Sequence, residues 1–179
     1  FQLGRFGEAL ASYRTCLDLA QGLAKAEPSA PWANRAVAVS TERVGETLAR
    51  TGNTAEGLNK LRESLAAFRR IATANPNDPQ SQRDLAGGCL ILGDILLGAG
   101  REAEALVQYR EGLEVTEALA RSDPRNAQFQ TDWHLALGRT ADVLFAAGRK
   151  EEARRMTARA LAVLETLVSQ PQASQYDLQ

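Results

Sequence analysis

Several ingredients of common active sites are scarce in this chain. Its 179 residues include one histidine, two cysteines and only 6% aromatic residues. The histidine, His134, stands beside Trp133 without a cysteine or second histidine to pair with, so we interpret it as a packed or surface residue rather than a general base. No group of residues has the spacing of metal ligands. We therefore expect a protein that is not an enzyme and needs no cofactor or metal.

An excess of one charge and a long hydrophobic run are also missing. The 21 lysines and arginines nearly balance the 22 acidic residues, so the chain offers no basic field for a nucleic acid backbone. The longest mostly apolar stretch, Leu85 to Gly100, is interrupted by Asp94 and is too short to span a bilayer. Neither nucleic acid nor a membrane is an expected partner. The two cysteines, Cys16 and Cys89, have no CxxC spacing, which favours a reduced, cytoplasmic setting.

What the chain does contain is an internal repeat of 48 residues. Glycines at positions 4, 52, 100 and 148 keep this interval, and prolines at 28, 76 and 124 keep it too. Residues 77–124 laid over residues 125–172 without a gap give 14 identities in 48 positions, where composition alone predicts roughly three. The repeat is the main organising feature of the sequence.

The repeat decides how residues 95–106, ILLGAGREAEAL, are interpreted. Gly98, Gly100 and Ala103 have the outline of a dinucleotide-binding fingerprint, which needs the first two glycines for a tight turn and close backbone approach. Gly100 has an equivalent in every copy, but Gly98 is replaced by Arg50 and Ala146. A helix C-terminus needs only one glycine, in the left-handed conformation. The segment is therefore predicted to be a turn between two helices.

Each repeat is predicted to be a pair of long helices. In the middle copy, Asp78 is placed as the N-cap and Pro79 as the first helical residue, and Gly100 ends that helix. Apolar and small residues recur at helical spacing on the faces expected to be buried. These are Leu85, Cys89, Leu92, Gly93 and Leu96 in the first helix and Ala105, Leu106, Tyr109, Gly112, Leu113, Thr116 and Leu119 in the second. Gly87 and Gly88 mean either that a neighbouring helix packs close there or that the first helix starts later.

These residues resemble the tetratricopeptide repeat. That family has a small residue in its first helix, a glycine turn, then alanine, an aromatic and a small residue in its second helix before a closing proline. The matching residues of the middle copy are Gly93, Gly100, Ala105, Tyr109, Gly112 and Pro124. The third copy has Thr157 where the aromatic belongs, and the period is 48 rather than about 34. The sequence is similar to the long-helix arrays of kinesin light chain and of bacterial signalling proteins. The resemblance implies an all-α, right-handed α-solenoid of about seven long helices.

The repeat divides the chain into five segments. They are the second helix of a truncated repeat at 1–28, three repeats at 29–76, 77–124 and 125–172, and the start of a further repeat at 173–179. The last segment is inferred because its SQYDLQ echoes SQRDLA of the middle copy. Phe1 aligns with Phe145, so the chain is expected to open at the last turn of a first helix.

In the resembled family, ligands lie along a concave surface lined by the first helices. Carried onto this sequence, the peptide-binding residues are Glu42, Arg43, Glu46, Leu90, Asp94, Leu97, Leu135, Arg139, Asp142 and Phe145. Glu46, Asp94 and Asp142 recur every 48 residues, and such an acidic column would favour a basic or amide-rich peptide. The alternative is that these acids sit beside the small residues Gly45, Gly93 and Ala141 for structural reasons and bond to the neighbouring repeat.

The resemblance implies a non-catalytic scaffold that binds proteins or peptides within a larger bacterial signalling protein. Two alternatives stay open. One is an oligomerisation or spacer module that self-associates through its open repeat ends. The other is a ligand-sensing module that regulates an attached enzyme.

Overall fold

The computed structural model describes residues 2–169, with side chains from residue 6 onward. Within this range the chain forms seven α-helices and no strand. They are α1 Gln2–Ala26, α2 Pro31–Arg50, α3 Thr54–Ala74, α4 Pro79–Gly98, α5 Glu102–Ser122, α6 Ala127–Ala146 and α7 Lys150–Ser169. The all-α prediction is confirmed. Phe1 and the expected repeat start at 173–179 lie outside the described residues.

The chain divides into two compact units, the first ending at Gly112 and the second beginning at Leu113. The division falls within α5. In the first unit α1 packs on α2, α2 on α3, and α3 on α4; in the second unit α6 packs on α7. Short connections make these neighbours antiparallel, and successive packing of antiparallel helices is the arrangement of an α-solenoid. The repeat boundaries given above stay a prediction.

Side-chain caps begin two of the helices. The Asp78 carboxylate accepts hydrogen bonds from the backbone N–H groups of Gln80 at 3.3 Å and Ser81 at 3.0 Å, and Pro79 is the first residue of α4. Asn126 caps α6 in the same way, at 3.1 and 3.2 Å. Each cap satisfies backbone donors that have no partner inside the helix. The predicted start of α4 is confirmed.

The turn glycines end α2, α4 and α6 with one geometry. Gly52, Gly100 and Gly148 have φ of 99°, 72° and 73°, a left-handed conformation that glycine adopts without strain. After Gly100, the Arg101 N–H donates to the Leu96 carbonyl at 2.9 Å, and the bond recurs in the other two turns at 2.9 and 2.8 Å. This is the Schellman arrangement of a helix C-terminus. The prediction of a turn at residues 98–103 is confirmed.

One of the two adjacent glycines inside α4 marks a close helix approach. A Cβ on Gly88 would lie 3.0 Å from Cδ2 of Phe68 on α3, whereas a Cβ on Gly87 would have no neighbouring atom within 4 Å. Phe68 is buried. Since α4 begins at Pro79, close packing rather than a late helix start accounts for Gly88. Nothing in the structure explains Gly87.

Two residues, Leu161 and Cys16, are exposed although their equivalents in another repeat are buried. Leu65 is 2% exposed beneath α4, whereas Leu161, 96 residues later on α7, is 54% exposed because no described helix covers that face. Ser64 is buried and donates to the Ala38 carbonyl of α2 at 2.9 Å, but its counterpart Cys16 on α1 is exposed. Cys16 therefore lacks the close helix contact that its repeat equivalent Ser64 makes.

Candidate functional site

In the first unit, the predicted binding residue Glu46 is held by its own helix. Its carboxylate accepts hydrogen bonds from Nη1 of Arg43 at 3.2 Å and Nε of Arg50 at 3.0 Å. Pairs of this kind on one helix face contribute a few tenths of a kcal/mol each. Two predicted site residues, Arg43 and Glu46, therefore lie together on α2, but they already bind each other.

Glu42 is a core residue rather than a surface residue. Its side chain is only 6% exposed, so a ligand on the face of α2 would scarcely touch it. Burial raises the pKa of this carboxyl to about 7, and the charges of Glu46 and Asp84 add to the rise while Arg43 opposes it. The structure therefore departs from the surface role expected for Glu42.

Asp94 has an internal hydrogen-bond partner, the hydroxyl of Tyr109. This hydroxyl donates to Oδ1 of Asp94 at 2.8 Å. The Tyr109 ring lies against Gly93, where an added Cβ would come within 2.6 Å of Cε1. The tyrosine is 1% exposed, so it fills the space between α4 and α5 above this glycine. Asp94 therefore has a structural partner, but this bond joins the two helices of its own repeat and not the neighbouring repeat.

The two leucines predicted for the same helix face are only half-buried. Leu90 and Leu97 both lie on α4. Leu90 packs towards α5, since its Cδ2 would be 3.2 Å from a Cβ placed on Gly112. Part of each side chain remains accessible beside Asp94.

The equivalent positions of the second unit form an open pocket. There Ala141 stands in place of the glycine and Thr157 in place of the tyrosine, whereas the aspartate is kept as Asp142. The pocket has a volume of about 420 Å³ between α6 and α7 and is lined by Ala141, Asp142, Phe145, Ala153, Arg154, Thr157, Ala158 and Leu161. We call it the α6–α7 pocket. Two of the predicted site residues, Asp142 and Phe145, are brought together in it.

The side chains at the mouth of this pocket are exposed. Phe145 is 65% exposed, and the Asp142 carboxylate, also exposed, forms no hydrogen bond or ion pair with another described residue. Arg154 reaches Glu151 at 2.7 Å, and both of those side chains are largely in solvent. The pocket therefore combines apolar walls, one unpartnered carboxylate and one cation held only by a surface pair.

The remaining predicted residues lie on α6, Arg139 one turn and Leu135 two turns before Asp142. Leu135 is exposed and Arg139 is half-buried. Their spacing places them on the same helix face as Asp142. This face extends the α6–α7 pocket along α6 with a further apolar side chain.

Sequence reasoning missed the α7 side of the pocket, formed by Arg154, Thr157 and Leu161. The repeat register predicts a buried side chain at Leu161, because the matching leucine of α3, Leu65, is buried. Thr157 is the one sequence signal for the pocket, since a small side chain there replaces the aromatic residue of the middle copy.

Neither His134 nor Cys89 has the setting of a reactive group. His134 is half-buried, and its Nδ1 lies 2.9 Å from the Ala160 carbonyl oxygen. Cys89 is fully buried, and burial together with the nearby Glu111 carboxylate raises the pKa of its thiol. The Arg69 guanidinium binds Glu111 at 2.6 Å. Both residues belong to the packing of their helices.

Residues 2–169 offer neither a cluster of metal ligands nor a helix that could span a bilayer. Among these residues, no three histidine, cysteine, aspartate or glutamate side chains are grouped so that they could hold a metal ion. No helix in the same range has the length and apolar character needed to cross a bilayer.

Comparisons with known proteins add little beyond the helical architecture. No protein-family model matches the sequence, and no curated protein matches it. The chain is similar to the crystal structure of MamA, with 16% identity, 93% of each chain covered and a TM-score of 0.36. It is also similar to BtubC (BKLC) from P. vanneervenii, with 13% identity, 93% and 94% of the two chains covered and a TM-score of 0.33. Such low scores carry no argument about function.

Proposed function

We propose that this chain is a non-catalytic scaffold of the tetratricopeptide type that binds a peptide segment of a partner protein. One observation carries the proposal. The α6–α7 pocket presents an exposed aromatic ring, an exposed leucine and a carboxylate without an internal partner. Apolar anchors beside a small number of polar groups are typical of ligand-binding pockets and of the centres of protein interfaces. A cytoplasmic place within a larger bacterial signalling protein belongs to the same proposal.

The helical setting of the pocket favours binding without a large ordering cost. Phe145 and Leu161 project from α6 and α7, which pack closely on each other. Side chains fixed on packed helices lose little conformational freedom when a ligand arrives. A peptide lying along α6 would reach Leu135 after leaving the pocket, which gives a second apolar contact.

A peptide array tests this function. The array is probed with the wild-type chain and with an Asp142→Ala, Phe145→Ala variant, and most of the peptide signal is expected to be lost in the variant. The matched control is Asp18→Ala with Leu19→Ala, which also removes an exposed carboxylate and an exposed apolar side chain, but from α1. Signals that survive in the pocket variant, or an array without signals, would contradict the proposal.

A second candidate function, self-association, is favoured by the exposed face of α7. Leu161, Leu164 and Val168 on that face are exposed, and their counterparts Leu65, Phe68 and Ala72 on α3 are all buried under α4. Another copy of the chain could cover these side chains. Sedimentation velocity over a range of concentrations detects such a dimer. A dimer formed through α7 would cover Leu161 and therefore compete with peptide binding. A monomer at every concentration would exclude self-association.

A further inference from the structure

The two units differ at the repeat position of Tyr109, and the second unit has an open pocket there. In the first unit Tyr109 fills the space beside Gly93 and donates its hydroxyl to Asp94 at 2.8 Å. In the second unit Thr157 stands at the tyrosine position, while the aspartate is kept as Asp142. The space that a ring occupies in one copy is thus an open pocket in the other, and the acceptor has lost its donor.

The chemistry of the α6–α7 pocket restricts what can enter it. Its walls are mainly alanine, leucine and phenylalanine side chains, and its volume of about 420 Å³ lies in the range of ligand pockets, about 300–1,000 Å³. The Asp142 carboxylate can only accept hydrogen bonds when ionised. A suitable ligand therefore combines an apolar body with an N–H or O–H donor.

Tyrosine and the basic residues lysine and arginine both combine an apolar body with a donor. Arg154 determines which of them fits the pocket better. Arg154 lines the same pocket, so a lysine or arginine of the ligand would meet a side chain of like charge there. A neutral phenol avoids this repulsion, and its ring can accept the guanidinium over its face. These contacts favour tyrosine over the basic residues that the acidic column by itself would favour.

We infer that the α6–α7 pocket binds the side chain of a tyrosine from a partner peptide, with the phenol hydroxyl donating to Asp142. The inference deepens the proposed function and rests on it. Since Ala141 stands where the first unit has Gly93, its methyl group occupies the place against which the Tyr109 ring lies. The bound ring consequently lies further out than Tyr109 does, towards Phe145 and Leu161.

Titration with two small amides tests the inference. N-acetyl-L-tyrosinamide and N-acetyl-L-phenylalaninamide are added to the isotopically labelled chain, and amide shifts of Ala141 and Thr157 are followed by NMR. A hydrogen bond to a charged acceptor makes the tyrosine amide bind roughly tenfold more tightly than the phenylalanine amide. Asp142→Ala is expected to abolish this difference, and Asp18→Ala to leave it unchanged.

A filled pocket supplies a second variant. Ala141→Gly combined with Thr157→Tyr rebuilds the arrangement of Gly93 and Tyr109 in the second unit. Both amides should then lose their binding, while far-UV circular dichroism shows an unchanged helix content. Binding that persists in this variant would mean that the amides bind elsewhere and would overturn the inference.

The outcomes separate this inference from the proposed function. Equal affinity of the two amides, or no shift with either up to its solubility limit, would overturn the tyrosine site. Array peptides that bind through Asp142 and Phe145 without a tyrosine would leave the scaffold function standing and refute the inference alone. A tyrosine-selective pocket without any array signal would support the tyrosine site and contradict the scaffold function.

Discussion

Replacing Gly57 by alanine tests a close helix approach in the first unit. A Cβ at this position would lie 2.6 Å from the backbone nitrogen of Ala49 and 2.6 Å from the carbonyl oxygen of Gly45, both on α2. Backbone atoms cannot rotate away, so α2 and α3 would have to separate. Such overpacking costs about 1–3 kcal/mol, and alanine returns about 1 kcal/mol through its higher helix propensity. With a steric cost at the upper end, the free energy of unfolding should fall by about 2 kcal/mol.

Gly87→Ala is the matched control for this substitution. It makes the same chemical change inside α4, at a position where the new Cβ has no neighbour within 4 Å. Only the propensity gain remains, so the variant should be more stable than the wild type by about 0.5–1 kcal/mol. Urea denaturation followed by far-UV circular dichroism measures both changes. If Gly57→Ala were as stable as Gly87→Ala, the close contact between α2 and α3 would be refuted.

Three further predictions concern single side chains. Tyr109→Phe should lower the free energy of unfolding by about 1–2 kcal/mol, because the hydrogen bond from the tyrosine hydroxyl to Asp94 is lost; an unchanged urea midpoint would contradict this bond. Glu42→Gln should change the pH dependence of stability. The folded-state pKa of about 7 exceeds the ordinary value of 4.5, so the wild type loses stability as pH rises from 4.5 to 7. The glutamine variant should therefore gain up to about 3 kcal/mol relative to the wild type above pH 7. Denaturation curves that differ equally at pH 4 and pH 8 would refute this explanation. Asn126→Ala should cost about 1 kcal/mol through loss of the α6 cap, which thermal melting of the variant would detect.

Much of the fold could be predicted because its signals are local. Asp78-Pro79 marks a helix start by hydrogen-bond chemistry, and Gly100 marks a helix end by its backbone conformation. The 48-residue interval then transfers the turn assignment to Gly52 and Gly148, which form the same kind of turn. It fails at Gly4, which lies inside α1. The fold class therefore follows from residues whose roles depend only on their nearest neighbours in the chain.

The site was harder to predict, because exposure depends on which helices are neighbours. Periodicity places Glu42 on the same surface as Glu46, yet Glu42 is buried in the folded chain and Glu46 stays partly accessible. Leu161 repeats a leucine that is buried in α3, and its exposure follows from the absence of a described helix beyond α7. The replacement of Tyr109 by Thr157 was visible in the sequence, but its meaning required the contact between Tyr109 and Asp94.

A crystal structure of the Ala141→Gly, Thr157→Tyr variant would test most directly whether positions 48 residues apart have equivalent surroundings. The measurement is the distance between the introduced phenol oxygen and the nearer carboxylate oxygen of Asp142. Equivalence predicts a hydrogen bond close to the 2.8 Å found between Tyr109 and Asp94, with the ring inside the α6–α7 pocket. A ring directed into solvent, with Asp142 unbonded, would contradict both the repeat equivalence and the proposed tyrosine site.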